Sequence, residues 1–200
     1  MNKSENILGY IIIGFILIIS IKMYYDNDYF QLKCIVSDVN GKKYCVRERN
    51  NLKEASNLLA SITMKMEKLV HYLGEKYPTR DNVKRLVKNF NPQKIKETLP
   101  TSEYTAYSEN KGEKIAFCLS SKSKTDTKNM IDENTLTFVA LHELSHLATK
   151  SIGHNDEFWN NFKFLITQAS IIKIYTPIDY KKQKQEYCGM QIKDNPFFDS

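Results

Sequence analysis

Apolar residues follow four different patterns along this chain, and each predicts a different element. The first is continuous: Ile7-Leu-Gly-Tyr-Ile-Ile-Ile-Gly-Phe-Ile-Leu-Ile-Ile-Ser-Ile21, followed by Lys22, Met23, Tyr24 and Tyr25. The run is short of the roughly 20 residues a helix needs to cross a bilayer. A snorkelling Lys22 and interfacial Tyr24 and Tyr25 lengthen the usable span. No small-residue cleavage site follows, so residues 1–25 read as an N-terminal transmembrane anchor rather than a removed signal peptide. Lys3 stands on one side, Lys22 and Lys33 on the other, which leaves the orientation open.

The second pattern is a hairpin over 33–47, with Asn40-Gly41 in its turn. A two-residue loop places Cys34 across from Arg47. A four-residue loop, Asp38 to Gly41, sets Cys34 opposite Cys45 within bridging reach. Both a bridge, which would put the domain outside the cytosol, and two buried thiols stay open. Cys118 and Cys188 sit in apolar settings and read as core thiols, and no C-x-x-C spacing suggests a cysteine-held metal.

The third pattern has apolar residues three and four apart. Leu52, Ala55, Leu58, Leu59, Ile62, Met66, Leu69, Val70 and Leu73 predict an amphipathic helix that Gly74 and Pro78 close. Asp81 reads as the cap of a shorter helix with Val83, Leu86, Val87 and Phe90 inward, ending at Asn91-Pro92. Pro100 marks a boundary, Asn110 to Leu119 reads as a turn and a strand, and the polar stretch Ser120–Lys128 reads as a loop. Further on, Phe158, Trp159, Phe162, Leu165, Ile166, Ala169 and Ile172 form the inner face of a helix capped by Asn155. With the anchor removed, one α+β domain spans 26–200: hairpin 33–47, a helical part 51–100 and a catalytic core 104–190.

The fourth pattern carries the chemistry: Thr135-Leu-Thr-Phe-Val-Ala-Leu-His142-Glu143-Leu-Ser-His146-Leu-Ala-Thr-Lys-Ser-Ile-Gly153-His154. Asp132 or Asn134 caps the start of this helix, and Gly153 stops it. His142 and His146 lie one turn apart on one face and suit a single Zn²⁺. Glu143, rotated by about 100°, points beside the metal, where a carboxylate can take a proton from water. Zinc needs a third protein ligand, and His154 follows the glycine that lets the chain turn back. Its rivals are Asp156, Glu157 and Glu186, of which Asp156 and Glu157 read as first-turn residues of the next helix. His71 stands alone on the long helix and reads as packing or surface. Tyr175, Tyr180 and Tyr187 are the candidates to stabilise an oxyanion. The strand around Glu113–Leu119 is the candidate for pairing with an extended peptide.

Charge narrows the classes. The net charge is +6, carried mostly by scattered lysines, with arginine only at 47, 49, 80 and 85. A dedicated nucleic-acid reader would cluster its charge and use arginine forks, so nucleic acid is disfavoured as the main ligand. The partners expected are a protein or peptide substrate, and membrane lipid through residues 7–25.

These residues resemble the WLM metallopeptidases, zincin-like relatives of the SprT/Spartan proteases. The likeness rests on Asn110-Lys-Gly-Glu-Lys-Ile, the strand before the active helix, His142-Glu-Leu-Ser-His146 with Gly153-His154, and the aromatic pair Phe158-Trp159. It covers roughly Tyr104 to Gln168. The tail Tyr175-Thr-Pro-Ile-Asp-Tyr180 with Glu186-Tyr-Cys-Gly-Met190 looks like that of membrane-anchored members in large DNA viruses. The resemblance implies a zincin-like α+β fold, His142, His146 and His154 as zinc ligands, and Glu143 as the catalytic residue. The partner-binding tails and basic region of members that cut DNA–protein crosslinks have no counterpart here, and Thr149 stands where metzincins have glycine. Met190 reads as core or as a Met-turn analogue beneath the metal. The alternatives to a membrane-anchored zinc peptidase are a DNA-associated protease and a non-catalytic viral membrane protein with this fold.

Overall fold

The computed structural model describes residues 3–26, 32–99, 102–120 and 130–199. Helix α1 (Lys3–Asp26) contains Ile7–Tyr24, a stretch long and apolar enough to cross a membrane, and within Ile7–Tyr24 no side chain is buried. A helix satisfies its backbone hydrogen bonds internally, so such a segment can sit in hydrocarbon.

Strands β1 (Leu32–Val36) and β2 (Lys43–Arg47) form an antiparallel hairpin. The chain adopts the four-residue loop: Gly41, at φ +67°, donates its N–H to the Ser37 carbonyl, and Cys34 lies opposite Cys45. These two cysteines are bridged, which sets aside the reading as free thiols.

Helix α2 (Leu52–Lys76) buries Ala55, Leu59, Ile62, Met66, Leu69, Val70 and Leu73 on one face, while Leu52 and Leu58 are half-buried at its margin. Gly74 lies inside this helix. A Cβ there would come within 3.3 Å of the Val87 side chain, so the glycine lets α3 (Asp81–Asn89) pack closely. Asp81 proves to be the first helical residue, with Arg80 in the cap position, and Val87, expected inward, is largely exposed.

The second sheet has the order β3-β5-β4, with β3 (Ile95–Glu97) parallel and β4 (Ala106–Glu109) antiparallel to β5 (Lys114–Phe117). A strand therefore lies within the segment read as helical, 51–100. More consequentially, β5 is central, so the Glu113–Leu119 segment offers no free edge for a peptide. That edge belongs to β4, which pairs with β5 alone among the described strands. Pro100 and nearly all of the polar loop before α4 lie outside the described residues.

Buried Glu97 joins the hairpin to this sheet. It accepts the Arg47 backbone N–H at 2.7 Å and pairs with Arg49, while the Arg47 guanidinium donates to Thr98 and to the Leu99 carbonyl. Burial pushes the Glu97 carboxyl up, and the two arginines oppose that shift. Such a charge persists only where it is paired.

Helix α4 (Glu133–Ala148) runs through the middle of the domain and is buried on most sides, with α2, α3 and α5 (Asp156–Ile171) around it. Asp132 caps α4 by accepting the N–H groups of Asn134 and Thr135, and Asn155 caps α5 by accepting that of Phe158. A last hairpin, β6 (Gln185–Tyr187) and β7 (Met190–Ile192), is followed by a 3₁₀ turn, Pro196–Phe198, that packs back on α5. The folded unit thus runs past residue 190. Cys118 and Cys188 are buried, as expected of core residues, but they are disulfide-bonded to each other. Seventy residues separate them, so local sequence carries no sign of the pairing. The mixed fold is α+β.

Candidate metal centre

The end of α4 sets the geometry of the site. The helix stops at Ala148, short of the expected stop at Gly153, because its last carbonyls find partners elsewhere. Ser145 O accepts the Thr149 N–H and Oγ1, Leu147 O accepts Asn89 Nδ2, and Ala148 O accepts Arg85 Nε. Lys111 Nζ reaches His146 O at 3.4 Å, Thr149 O at 2.9 Å and Ser151 O at 2.6 Å. Unpaired carbonyls at a helix end must be met in this way, and a cation there also suits the helix dipole. Lys111 comes from the β4–β5 turn, where Asn110, Lys111 and Gly112 all have positive φ.

Beyond the helix, Gly153 at φ +86° turns the chain back. Glu157 holds this loop: its carboxylate accepts the Lys150 N–H at 3.0 Å, the Ser151 N–H at 3.1 Å and Ser151 Oγ at 2.7 Å. These bonds keep its pKa down at about 2. Trp159 Nε1 donates to the His154 carbonyl at 3.1 Å, tying the loop to α5.

The result is convergence. His154 Nε2 lies 3.0 Å from His142 Nε2 and 3.2 Å from His146 Nε2, and the three ligating atoms all fall within 4.8 Å of one another. Nitrogens at 2.0–2.1 Å from one tetrahedral zinc are about 3.3 Å apart, so the donor set fits such an ion. One ring N–H cannot serve two acceptors linearly, so hydrogen bonding alone accounts poorly for all three approaches. Burial lowers the His142 pKa to about 3 and the His146 pKa to about 4, and the neighbouring imidazoles add to both shifts. Both rings are therefore neutral and available as ligands across the ordinary pH range.

Glu143 is buried at 4 % exposure beside this cluster. Burial pushes its carboxyl up to about 8, and a hydrogen bond from Ser108 on β4 opposes the shift. Two cavities open onto it, of about 590 and 600 Å³, both lined by Tyr104, Ala106, His142, Glu143 and His154. One extends past Ser108, Lys111 and Gly153, the other past Trp159 and Met190. Together they form a cleft along β4.

The structure separates the other candidates from the cluster. Asp156 and Glu157 occupy the first turn of α5, and Glu186 is exposed on β6. Among the described residues no other group of His, Cys, Asp or Glu gathers as these three histidines do. Of the candidate oxyanion tyrosines, Tyr175 and Tyr180 are in the core, while Tyr187, also buried, lines the second cavity with its hydroxyl already engaged. Tyr187 OH donates to Thr105 O and accepts the Cys118 N–H, Tyr175 OH accepts Asn195 Nδ2, and Tyr180 is wholly buried. Met190 is not a core residue. It is 54 % exposed on the cleft wall. His71 is exposed, 3.4 Å from Glu75. Sequence reasoning missed Tyr104, Ser108, Lys111 and Trp159 as cleft residues. Only the Asn110-Lys-Gly turn offered a sign, since a turn with consecutive positive φ brings its own side chains into unusual directions.

No family model matches the chain. The uncharacterized protein R325 of Acanthamoeba polyphaga mimivirus is 34% identical over 165 residues, covering 80% of this chain and 82% of that protein. The uncharacterized protein 136R of Invertebrate iridescent virus 6 is 35% identical over 74 residues, 37% of this chain and 40% of that one. Among solved structures, Wss1 from Saccharomyces cerevisiae matches with a TM-score of 0.47 at 22% identity, covering 63% of this chain and 84% of Wss1.

Proposed function

This chain belongs to the family of the mimivirus protein R325, and from its site we propose that it is a zinc-dependent peptidase held at a membrane by α1. His142, His146 and His154 are the zinc ligands and Glu143 is the general base. The observation that carries this reading is the approach of three imidazole nitrogens to within 3.0–3.2 Å along the His154 contacts, next to a buried carboxylate. The H-E-x-x-H spacing and its likeness to the WLM pattern support the same assignment.

Zinc, when bound, supplies Lewis acidity that polarises the scissile carbonyl and makes water a nucleophile near neutral pH. Glu143 takes a proton from the attacking water. As the C–N bond breaks, Glu143 passes that proton to the departing amine. The substrate lies extended along the free edge of β4, accepting and donating main-chain hydrogen bonds there. Glu157, Lys111 and Trp159 keep the His154 loop in place, so the ligands need little reorganisation. The two disulfides favour an oxidising compartment for the domain.

Elemental analysis and peptide turnover test the reading together. The wild-type chain should carry one zinc per protein and hydrolyse unfolded protein. Glu143→Gln should keep the zinc and lose about 10²–10⁴-fold in kcat. His154→Ala should lose the zinc. A zinc-free wild type, or full activity in Glu143→Gln, defeats the assignment.

A further inference from the structure

The two halves of the cleft differ in chemistry. Towards Gly153 the wall carries Ser108, Asn110 and Lys111. Towards Met190 it carries Phe138, Val139, Trp159, Phe162, Met190 and Ile192, around about 600 Å³, with the charged Glu103, Lys193 and Asp194 also on its lining. Phe138, Val139 and Phe162 are buried and form the floor, and the Phe138 and Phe162 rings pack at a 50° tilt, 5.1 Å between centroids. Trp159 and Met190 stand half-open at the mouth, at 42 % and 54 % exposure. Surface aromatics and methionine that line a concavity, rather than scatter singly, mark a place where apolar surface is covered.

We propose that this half of the cleft is a specificity pocket for a large apolar side chain, aromatic or long aliphatic, on one residue flanking the scissile bond. The inference rests on the peptidase reading for the identity of the occupant. Continuity carries it: the pocket shares His142, Glu143 and His154 with the polar half, so a peptide along β4 that meets the histidines must place a side chain over this floor. Side chains alternate along an extended strand, so one residue points in while its neighbours point away. The volume exceeds what an alanine or valine would fill, and an unfilled apolar pocket loses the contacts that a phenylalanine or leucine supplies. The polar half is lined by Tyr107 and the exposed Ile152 as well as by Ser108, Asn110 and Lys111, and has no buried phenylalanine beneath it.

The test uses the full chain in lipid nanodiscs, with Glu143→Gln to prevent turnover. Capped hexapeptides carry Phe, Leu, Ala or Asp at each position in turn. Trp159 is the chain's single tryptophan and lies in the pocket wall, so its emission reports occupancy directly. Phe and Leu peptides should shift that emission to shorter wavelength and bind at least ~10-fold more tightly than their Ala counterparts. Val139→Phe fills the floor and should erase the advantage. Met190→Glu changes only the exposed wall and should reduce the advantage too, which guards against misfolding in the first variant. Equal binding of all four peptides, or an advantage unchanged in both variants, overturns the inference. The measurement needs neither zinc nor hydrolysis. A zinc-free, inactive chain that still prefers Phe peptides sinks the hydrolase and keeps the pocket, whereas hydrolysis of all four peptides alike does the reverse.

Discussion

Glu157 is a half-exposed acid whose work is done through three hydrogen bonds to the loop before it. Its folded pKa of about 2 lies below the ordinary 4.5. The unfolded chain therefore binds this proton first, so the stabilisation is present above about pH 4.5 and is lost as the pH falls toward 2. Urea midpoints measured across that window should drop for the wild type and change less for Glu157→Gln. At pH 6 the same substitution should cost about 1 kcal/mol, a modest figure because the group is partly open to solvent. At this scale the spacing of His142, Glu143 and His146 was legible, since helical periodicity alone puts two imidazoles on one face. Trp159 was not. It follows Phe158 in an apolar run, and only the position of α5 against the cleft separates a wall residue from a core one.

Gly112 shows how the elements depend on one another. It sits at φ +113°, and a Cβ there would meet the Asn89 carbonyl at 2.4 Å and the Leu147 side chain at 3.0 Å. The β4–β5 turn can therefore press against α3 and the end of α4 only with glycine at this point. Gly112→Ala should cost more than about 2 kcal/mol by urea unfolding, from strain plus a clash with backbone. It should also displace Lys111 and, on the zinc reading proposed above, weaken metal retention. An undisturbed urea midpoint would show that the turn can move away freely. The elements themselves were largely readable, because α2 announces itself by period, and α4 and α5 by their caps and apolar residues. The position of strand β5 was not, since the order of strands in a sheet is a matter of pairing at a distance. The free edge passed from β5 to β4 for that reason. Likewise α4 ends at Ala148, short of the expected stop at Gly153, because Asn89, Arg85 and Lys111 from other elements take its carbonyls.

Across the whole molecule the two disulfides differ in reach, closing separations of 11 and 70 residues. In the chain-entropy view the longer loop contributes about 4 kcal/mol and the shorter about 3 kcal/mol. Cys118→Ser with Cys188→Ser should therefore destabilise more than Cys34→Ser with Cys45→Ser, as read by denaturant midpoint. The longer link also ties the hairpin bearing Met190 to β5. The four arginines are engaged within the fold: Arg47, Arg49 and Arg85 serve buried or capping contacts, and Arg80 lies 4.1 Å over the Phe164 ring. For α1, sodium carbonate extraction should leave the full chain in the membrane pellet and release a chain lacking residues 1–25. Release of the full chain would remove the anchor. By itself the sequence determined the apolar terminal helix, the amphipathic helices, the Asp132 and Asn155 caps, and the helical spacing of the H-E-x-x-H residues, because all of these are local in the chain. Only the tertiary structure decided that His154 meets His142 and His146, that Cys118 meets Cys188, and that β4 borders the cleft. The first depends on how a short loop is held and the other two on segments far apart, and packing, not periodicity, decides all three.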